Sequence, residues 1–300
     1  MVRIPRATTD PDYGRGVIEI DTDDMPPDER SLADELKQVF SSPSYRPPLL
    51  PKSATEVLAM SRDPGASLDK IVKTLESDPL LVARVVSCVN SAAYNRSRSV
   101  RSLRDALSRL GIAGLRDVVV EAALTLRVFR VPGFQEPMER LRNHSVRVAE
   151  IVRRVCYYTA VDSEYAYLCG LLHDIGIAGI LIAITEKDPK RKFEPLTLWP
   201  VIDRIHAEAS ATMAGLWSFP PELVVVLAHH HQIHIDKQPH PLCAALIVAE
   251  DLASRLGHGF DPQKKLDRGR PDRLEAAKAL LSFSPRIEGL IEKEIIQAAV

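Results

Sequence analysis

The sequence predicts an all-α protein, a helical bundle with an N-terminal helical subdomain. Two observations carry that expectation. From residue 49 onward the apolar positions keep a helical period in segment after segment, and helix caps and breakers fall where those segments start and stop. No strand–helix alternation and no internal repeat competes with the pattern.

Residues 1–48 read as an acidic, proline-containing arm, with ten acidic against six basic residues, and are expected to be partly disordered. Within the arm, 17–20 reads as a short strand and 31–40 as an amphipathic helix with Leu32, Leu36 and Val39 on one face. A helical subdomain is expected over 49–135. There Ser67 caps a helix carrying Leu68, Ile71, Val72 and Leu75 at i, i+3, i+4 and i+7. Asp78 before Pro79 opens the next helix, because proline at the first helical position gives up only an N–H that has no partner there. Ser102 and Asp105 make a capping box, Leu103, Ala106, Leu107 and Leu110 supply the stripe, and Gly111 ends it. A further helix is expected at 118–129, after which Pro132, Gly133 and Pro137 interrupt the pattern. A second subdomain is expected over 136–258, with helices at 138–158, 163–183, 201–218, 221–231 and 239–256 and a charged, proline-containing excursion at 187–200. Residues 259–300 read as a C-terminal helical extension, with a helix at 272–282.

Three hundred residues exceed one typical core, so two domains are expected. A net charge of −1 gives no global attraction to nucleic acid or to an anionic membrane, and any such effect must be local. The apolar runs of about ten residues fall short of a bilayer span, and residues 1–10 lack the apolar stretch of a secretory signal. Cys88, Cys156, Cys169 and Cys243 are scattered, with no Cys-x-x-Cys pair. They read as reduced core residues of a cytoplasmic protein rather than a zinc–thiolate site.

The chemistry centres on residues 168–180, where His173 and Asp174 stand in a run that is otherwise almost wholly apolar. Burying an imidazole and a carboxylate costs several kcal/mol unless a metal or a tight hydrogen-bond network compensates. Nine histidines are present, seven of them between 173 and 240. His144, His206, the run His229-His230-His231 and Asp251 each lie on a separate expected helix, at or near its apolar side. Imidazole and carboxylate together suit Zn, Fe, Mn or Ni, and four or more such groups could hold two ions.

In order, His144, His173-Asp174, His206, His230-His231 and Asp251 resemble the ligand series of the HD superfamily of metal-dependent phosphohydrolases, with Gly170 to Gly176 as the most specific piece. Upstream, the stretch 77–94 followed by 102–111 is similar to the HDOD branch, an HD-related output domain of bacterial signalling proteins. The resemblance covers about 49–258. It implies the HD-superfamily helical bundle, and a regulatory module of a branch that often lacks the ligand set and has no established catalysis. In the cyclic di-GMP-hydrolysing branch the His-Asp-Ile-Gly motif continues with a lysine that holds phosphate. Here that position is Ile177, and no Gly-Tyr-Pro loop follows His231.

Two functions follow. The favoured one is a bacterial signal-transduction HDOD protein acting as a non-catalytic binding or output module on a protein partner of its pathway, without a membrane role. The alternative is a metal-dependent phosphohydrolase or phosphodiesterase, in which His144, His173, Asp174, His206, His230, His231 and Asp251 hold one or two divalent ions (Fe, Mn or Zn) and Asp174 bridges them. Without the resemblance, His173 and Asp174 also read as a hydrogen-bonded helix-packing pair, and His230-His231 as a solvated helix end favoured by the helix dipole. His229 could exchange roles with either neighbour, and His234, His240 and His258 read as surface residues. A basic patch of Arg96, Arg98, Arg101 and Arg104 could take nucleotide, nucleic acid or an acidic partner surface, or be solvated charge flanking a cap.

Overall fold

A computed structural model describes residues 25–63, 65–91, 94, 100–161, 164–187, 195–260 and 271–297. The described chain is all-α apart from one two-residue hairpin. Its helices are α1 (Pro27–Ser41), α2 (Lys52–Met60), α3 (Leu68–Glu76), α4 (Pro79–Val89), α5 (Leu103–Arg127), α6 (Gln135–Tyr158), α7 (Ala166–Leu172), α8 (Ile175–Lys187), α9 (Pro195–Leu216), α10 (Pro221–Ala228), α11 (Pro241–Ala253), α12 (Pro271–Leu280) and α13 (Pro285–Gln297). The hairpin strands β1 (His234–Ile235) and β2 (Gln238–Pro239) pair antiparallel, His234 opposite Pro239. The chain divides into two compact units, one formed by 1–47 with 131–292 and the other by 48–130 with 293–300.

In the unit of 48–130 the caps are those expected from the sequence. Ser67 Oγ accepts the Lys70 N–H, Asp78 Oδ1 accepts that of Leu81 at 3.0 Å, and Ser102 Oγ accepts that of Asp105 at 3.1 Å. Gly111 does break the helix it ends, at φ 69° in the left-handed region that a side chain disfavours, but α5 resumes beyond it. The Asn90 amide closes the segment after α4, donating to the Val100 carbonyl at 2.8 Å and accepting the Val100 N–H at 2.7 Å. Arg96 and Arg98 lie outside the described residues. Of the remaining patch, Arg101 is exposed and Arg104 pairs with Asp69 at 2.7 Å.

In the larger unit α6 packs on α7 and α11, α9 packs on α8 and α10, and α1 lies on α9. The stretch Ala166–Lys187 is long and apolar enough to cross a membrane by length and composition, yet 83% of its apolar window is buried inside the fold. The run is therefore longer than the sequence count suggested, and it serves as the core helix pair. It bends at His173 and Asp174, which stand between α7 and α8. Glycine permits the contacts at that corner. A Cβ on Gly170 would lie 2.6 Å from the Ala149 Cα of α6, and one on Gly176 would lie 2.1 Å from the His206 carbonyl oxygen of α9.

Several boundaries differ from expectation. Helix α9 starts at Pro195 and carries Pro200 inside it, so the end of the expected excursion is helical. The helix expected to run through residue 231 stops at Ala228, which frees His229 to His231 from the ladder. The expected strand at 17–20 lies outside the described residues, as does the first half of the arm; the rest of the arm contains α1. Helix α13, not separated from the extension in the sequence, opens as α4 does with a capping residue before proline, Ser284 Oγ accepting the Ile287 N–H at 3.4 Å.

Candidate metal centre

Five parts of the fold supply the cluster around His173 and Asp174. His144 comes from α6, His173 and Asp174 from the α7–α8 corner, His206 from α9, His230 and His231 from the turn after α10, and Glu250 from α11. The corner is held by one hydroxyl: Ser210 Oγ donates to the His173 carbonyl at 2.7 Å and accepts the Gly176 N–H at 2.8 Å. Those backbone groups sit where the helix ladder is interrupted, and burial would leave them costly if unpaired.

The imidazoles are oriented from behind. Nδ1 of His144 donates to the His258 carbonyl at 2.8 Å, that of His173 to Gly170 at 2.8 Å, that of His206 to Ile202 at 3.1 Å and that of His230 to Leu227 at 2.7 Å. A carbonyl oxygen only accepts, so each Nδ1 must carry a proton, and in the neutral ring the Nε2 lone pair then faces inward. The Nε2 atoms do meet: His144 and His173 at 3.2 Å, His206 and His231 at 2.9 Å.

Asp174 lies between these two sets. Its Oδ2 is 3.2 Å from His173 Nε2 and 3.6 Å from His144 Nε2, while its Oδ1 is 3.3 Å from His206 Nε2 and 3.6 Å from His230 Nε2. Two triads result, His144–His173–Asp174 and His206–His230–His231, each with ligand atoms within 4.8 Å of one another. His230 Nε2 is buried without a hydrogen-bond partner. An orphaned ring nitrogen, lone pairs aimed at one another and a carboxylate with one oxygen toward each set are the donor chemistry that a divalent cation completes. The residues fit one or two such ions.

The electrostatics agree. Burial opposes charge on His173, but Asp174 and Glu250 outweigh it and raise the imidazole to about 9. Asp174 is held well below the carboxylate range, because the surrounding imidazoles overcome its burial. His231 is depressed by burial and by His230 and His206. A proton shared by His173 and Asp174 thus supplies positive charge that a cation can replace.

Two acids of α11 stand differently in the structure. Asp251 Oδ2 pairs with Arg255 Nε at 3.0 Å, whereas Glu250 Oε1 lies 3.9 Å from His173 Nε2. His229 Nδ1 donates to the Val225 carbonyl at 2.9 Å. His240, expected at the surface, is buried and caps α11 by accepting the Cys243 N–H. His234 is exposed and His258 half-buried. Ser210 was not singled out, since a serine among alanines on a helix carries no signal of its own.

The family model of the HDOD domain matches residues 48–233. The chain belongs to the HDOD family. An uncharacterized protein of Treponema pallidum (strain Nichols) is 24% identical to this HDOD chain over 277 residues, 88% of the chain and 52% of the relative. Ribonuclease Y of Mycoplasma genitalium is 27% identical over 124 residues, 41% of the chain and 21% of the relative. The chain thus spans about half the length of the first curated relative and a fifth of the second. Among solved structures, a Shewanella amazonensis SB2B protein whose name proposes a metal-dependent phosphohydrolase superposes with a TM-score of 0.71 at 18% identity, covering 91% of this chain and 99% of its own. An HDOD domain protein with unknown function from Geobacter sulfurreducens gives 0.64 at 24%, covering 90% and 95%. A Marinobacter aquaeolei VT8 protein whose name proposes signal transduction gives 0.61 at 19%, covering 94% and 65%. At these identities the likeness shows a shared fold.

Proposed function

We propose that this HDOD chain is a metal-centred output module of a bacterial signalling pathway, acting in the cytoplasm by binding a protein partner rather than by turnover. The placement of Asp174 carries the metal part of this reading. One carboxylate reaches four imidazoles from three other elements and the corner itself, so an ion there ties α6, the α7–α8 corner, α9 and the turn after α10 together. The non-catalytic part is supported by Ile177. It is 1% exposed on α8, at the position where the hydrolysing branch resembled by the sequence carries its phosphate-holding lysine. The four cysteines are buried thiols outside any disulfide, in keeping with a reducing compartment.

A second reading, metal-dependent phosphohydrolase, is favoured by the same carboxylate. Bound ions would activate water and polarise a phosphoryl oxygen, and an oxygen of Asp174 toward each histidine set suits a two-ion clamp. His144, His173, His206, His230 and His231 would hold the ions, with Glu250 beside His173.

Metal analysis of the purified protein with bis(p-nitrophenyl) phosphate as a generic substrate separates the readings. Stoichiometric Fe, Mn or Zn without hydrolysis is expected. Hydrolysis that disappears in Asp174→Asn establishes the enzyme instead, and a protein that takes up no metal at saturating concentration removes both metal readings.

A further inference from the structure

We infer that Arg255 is a positioning residue that sets the His144 half of the metal centre through the turn at the end of α11. The inference rests on the metal-binding reading above. Three of the four carbonyl-oriented histidines around Asp174 draw on their own helical turn: His173 on Gly170, His206 on Ile202, His230 on Leu227. Their orientation follows wherever the local backbone is helical. His144 differs, because its carbonyl belongs to His258, 114 residues away. Its ring is therefore only as well placed as the segment that ends at His258.

That segment, Ser254–His258, is a π-helical turn in which Gly257 takes φ 82°. Such wide turns are rare and persist where the surroundings hold them. Arg255 provides the hold. Its Nε donates to Asp251 Oδ2 at 3.0 Å, Nη1 to Glu292 Oε1 at 2.9 Å, and Nη2 to Glu288 Oε1, so all three guanidinium nitrogens are engaged. Glu288 and Glu292 are four residues apart on α13 and share one face. Three carboxylates surround the guanidinium, and Lys278 Nζ stands 3.5 Å from Glu288 Oε2, so without Arg255 their mutual repulsion is offset only in part, at Glu288. Lysine would present a single ammonium where the planar fork meets three partners. An isolated exposed pair contributes little; here removal of the cation leaves mutual repulsion and frees the turn from α13. The same contact engages Asp251, while its neighbour on α11, Glu250, lies 3.9 Å from His173 Nε2.

The test compares wild type with Arg255→Gln and, from the opposite side, with the Glu288→Gln/Glu292→Gln double variant. Imidazole nitrogen NMR of the metal-free protein reads the tautomer at each histidine. Nδ1–H is expected at His144, His206 and His230 in wild type, and mixed tautomers at His144 alone in the variants. Titration with Mn²⁺ is expected to show one of two sites weakened about 10- to 100-fold, the usual loss when an outer partner of a ligand is removed, with the other unchanged. An unaltered His144 tautomer with both affinities intact in a folded Arg255→Gln protein overturns the inference. If Arg255→Gln does not fold, the double variant decides. If wild type takes up no Mn²⁺, the metal reading fails, and the tautomer measurement still judges the positioning role.

Discussion

Gly176 lies directly against the His206 carbonyl of α9, where any Cβ would come within 2.1 Å of the oxygen. No rotamer relieves such a contact, because both atoms belong to backbone or Cβ. The closeness brings the α7–α8 corner onto α9, and with it Asp174 within reach of His206. Gly176→Ala should therefore separate the two histidine sets and destabilise the fold by about 3 kcal/mol or more, at the upper end of core overpacking. Denaturant unfolding and metal content of the variant check this, and a variant of wild-type stability and metal content refutes it.

Ser210 makes a softer test of the same corner. Ser210→Ala removes the donor to the His173 carbonyl and the acceptor of the Gly176 N–H, leaving two buried backbone groups unpaired. A loss of about 1–3 kcal/mol per unsatisfied group is usual, softened where water enters. Chemical denaturation should show a loss in that range with weaker metal retention. A loss below about 0.5 kcal/mol would mean that the corner is held by packing alone.

The fold was legible because helix signals are local. Ser67, Asp78 and Ser102 each act through a neighbour three residues on and cap as their positions indicate, while Gly111 breaks its helix at a kink beyond which α5 resumes. The histidines and Asp174 were legible for another reason: a polar group in an apolar run needs a partner. Asp251 and Glu250 are adjacent acids, and helical phase alone did not say which lies beside His173. Arg255, four residues on, gives Asp251 an i, i+4 partner. Ser210 and His240 act through groups that only folding brings near or leaves buried, and neither breaks a pattern in the sequence.

Metal removal supplies a third test. If ions bind the native cluster and not the unfolded chain, stability falls on chelation by RT ln(1 + [L]/Kd), about 4 kcal/mol when free ion exceeds Kd a thousandfold. Chelator should lower the Tm of wild type, and added Mn²⁺ or Zn²⁺ should restore it. Because Asp174 faces both histidine sets, Asp174→Asn should abolish most of this response, while His231→Ala should leave the part due to the His144 set. A Tm indifferent to chelator and to added ion in wild type contradicts a metal centre.

His240 gives a prediction in pH. Its ring caps α11 by accepting the Cys243 N–H at Nδ1, and burial together with the nearby His229 depresses its pKa from 6.5 to about 4. A protonated Nδ1 would be a donor and could not serve as that cap. The folded protein therefore resists a proton that the unfolded chain accepts near pH 6.5. Stability contributed by the neutral ring is complete above that pH, declines as pH falls toward 4, and levels off below it. Asparagine keeps a cap acceptor and does not titrate. His240→Asn should thus leave the Tm near neutrality within a few degrees of wild type and flatten its decline between pH 6.5 and 4. Parallel Tm–pH curves for the two proteins across that interval would show that His240 does not titrate with folding.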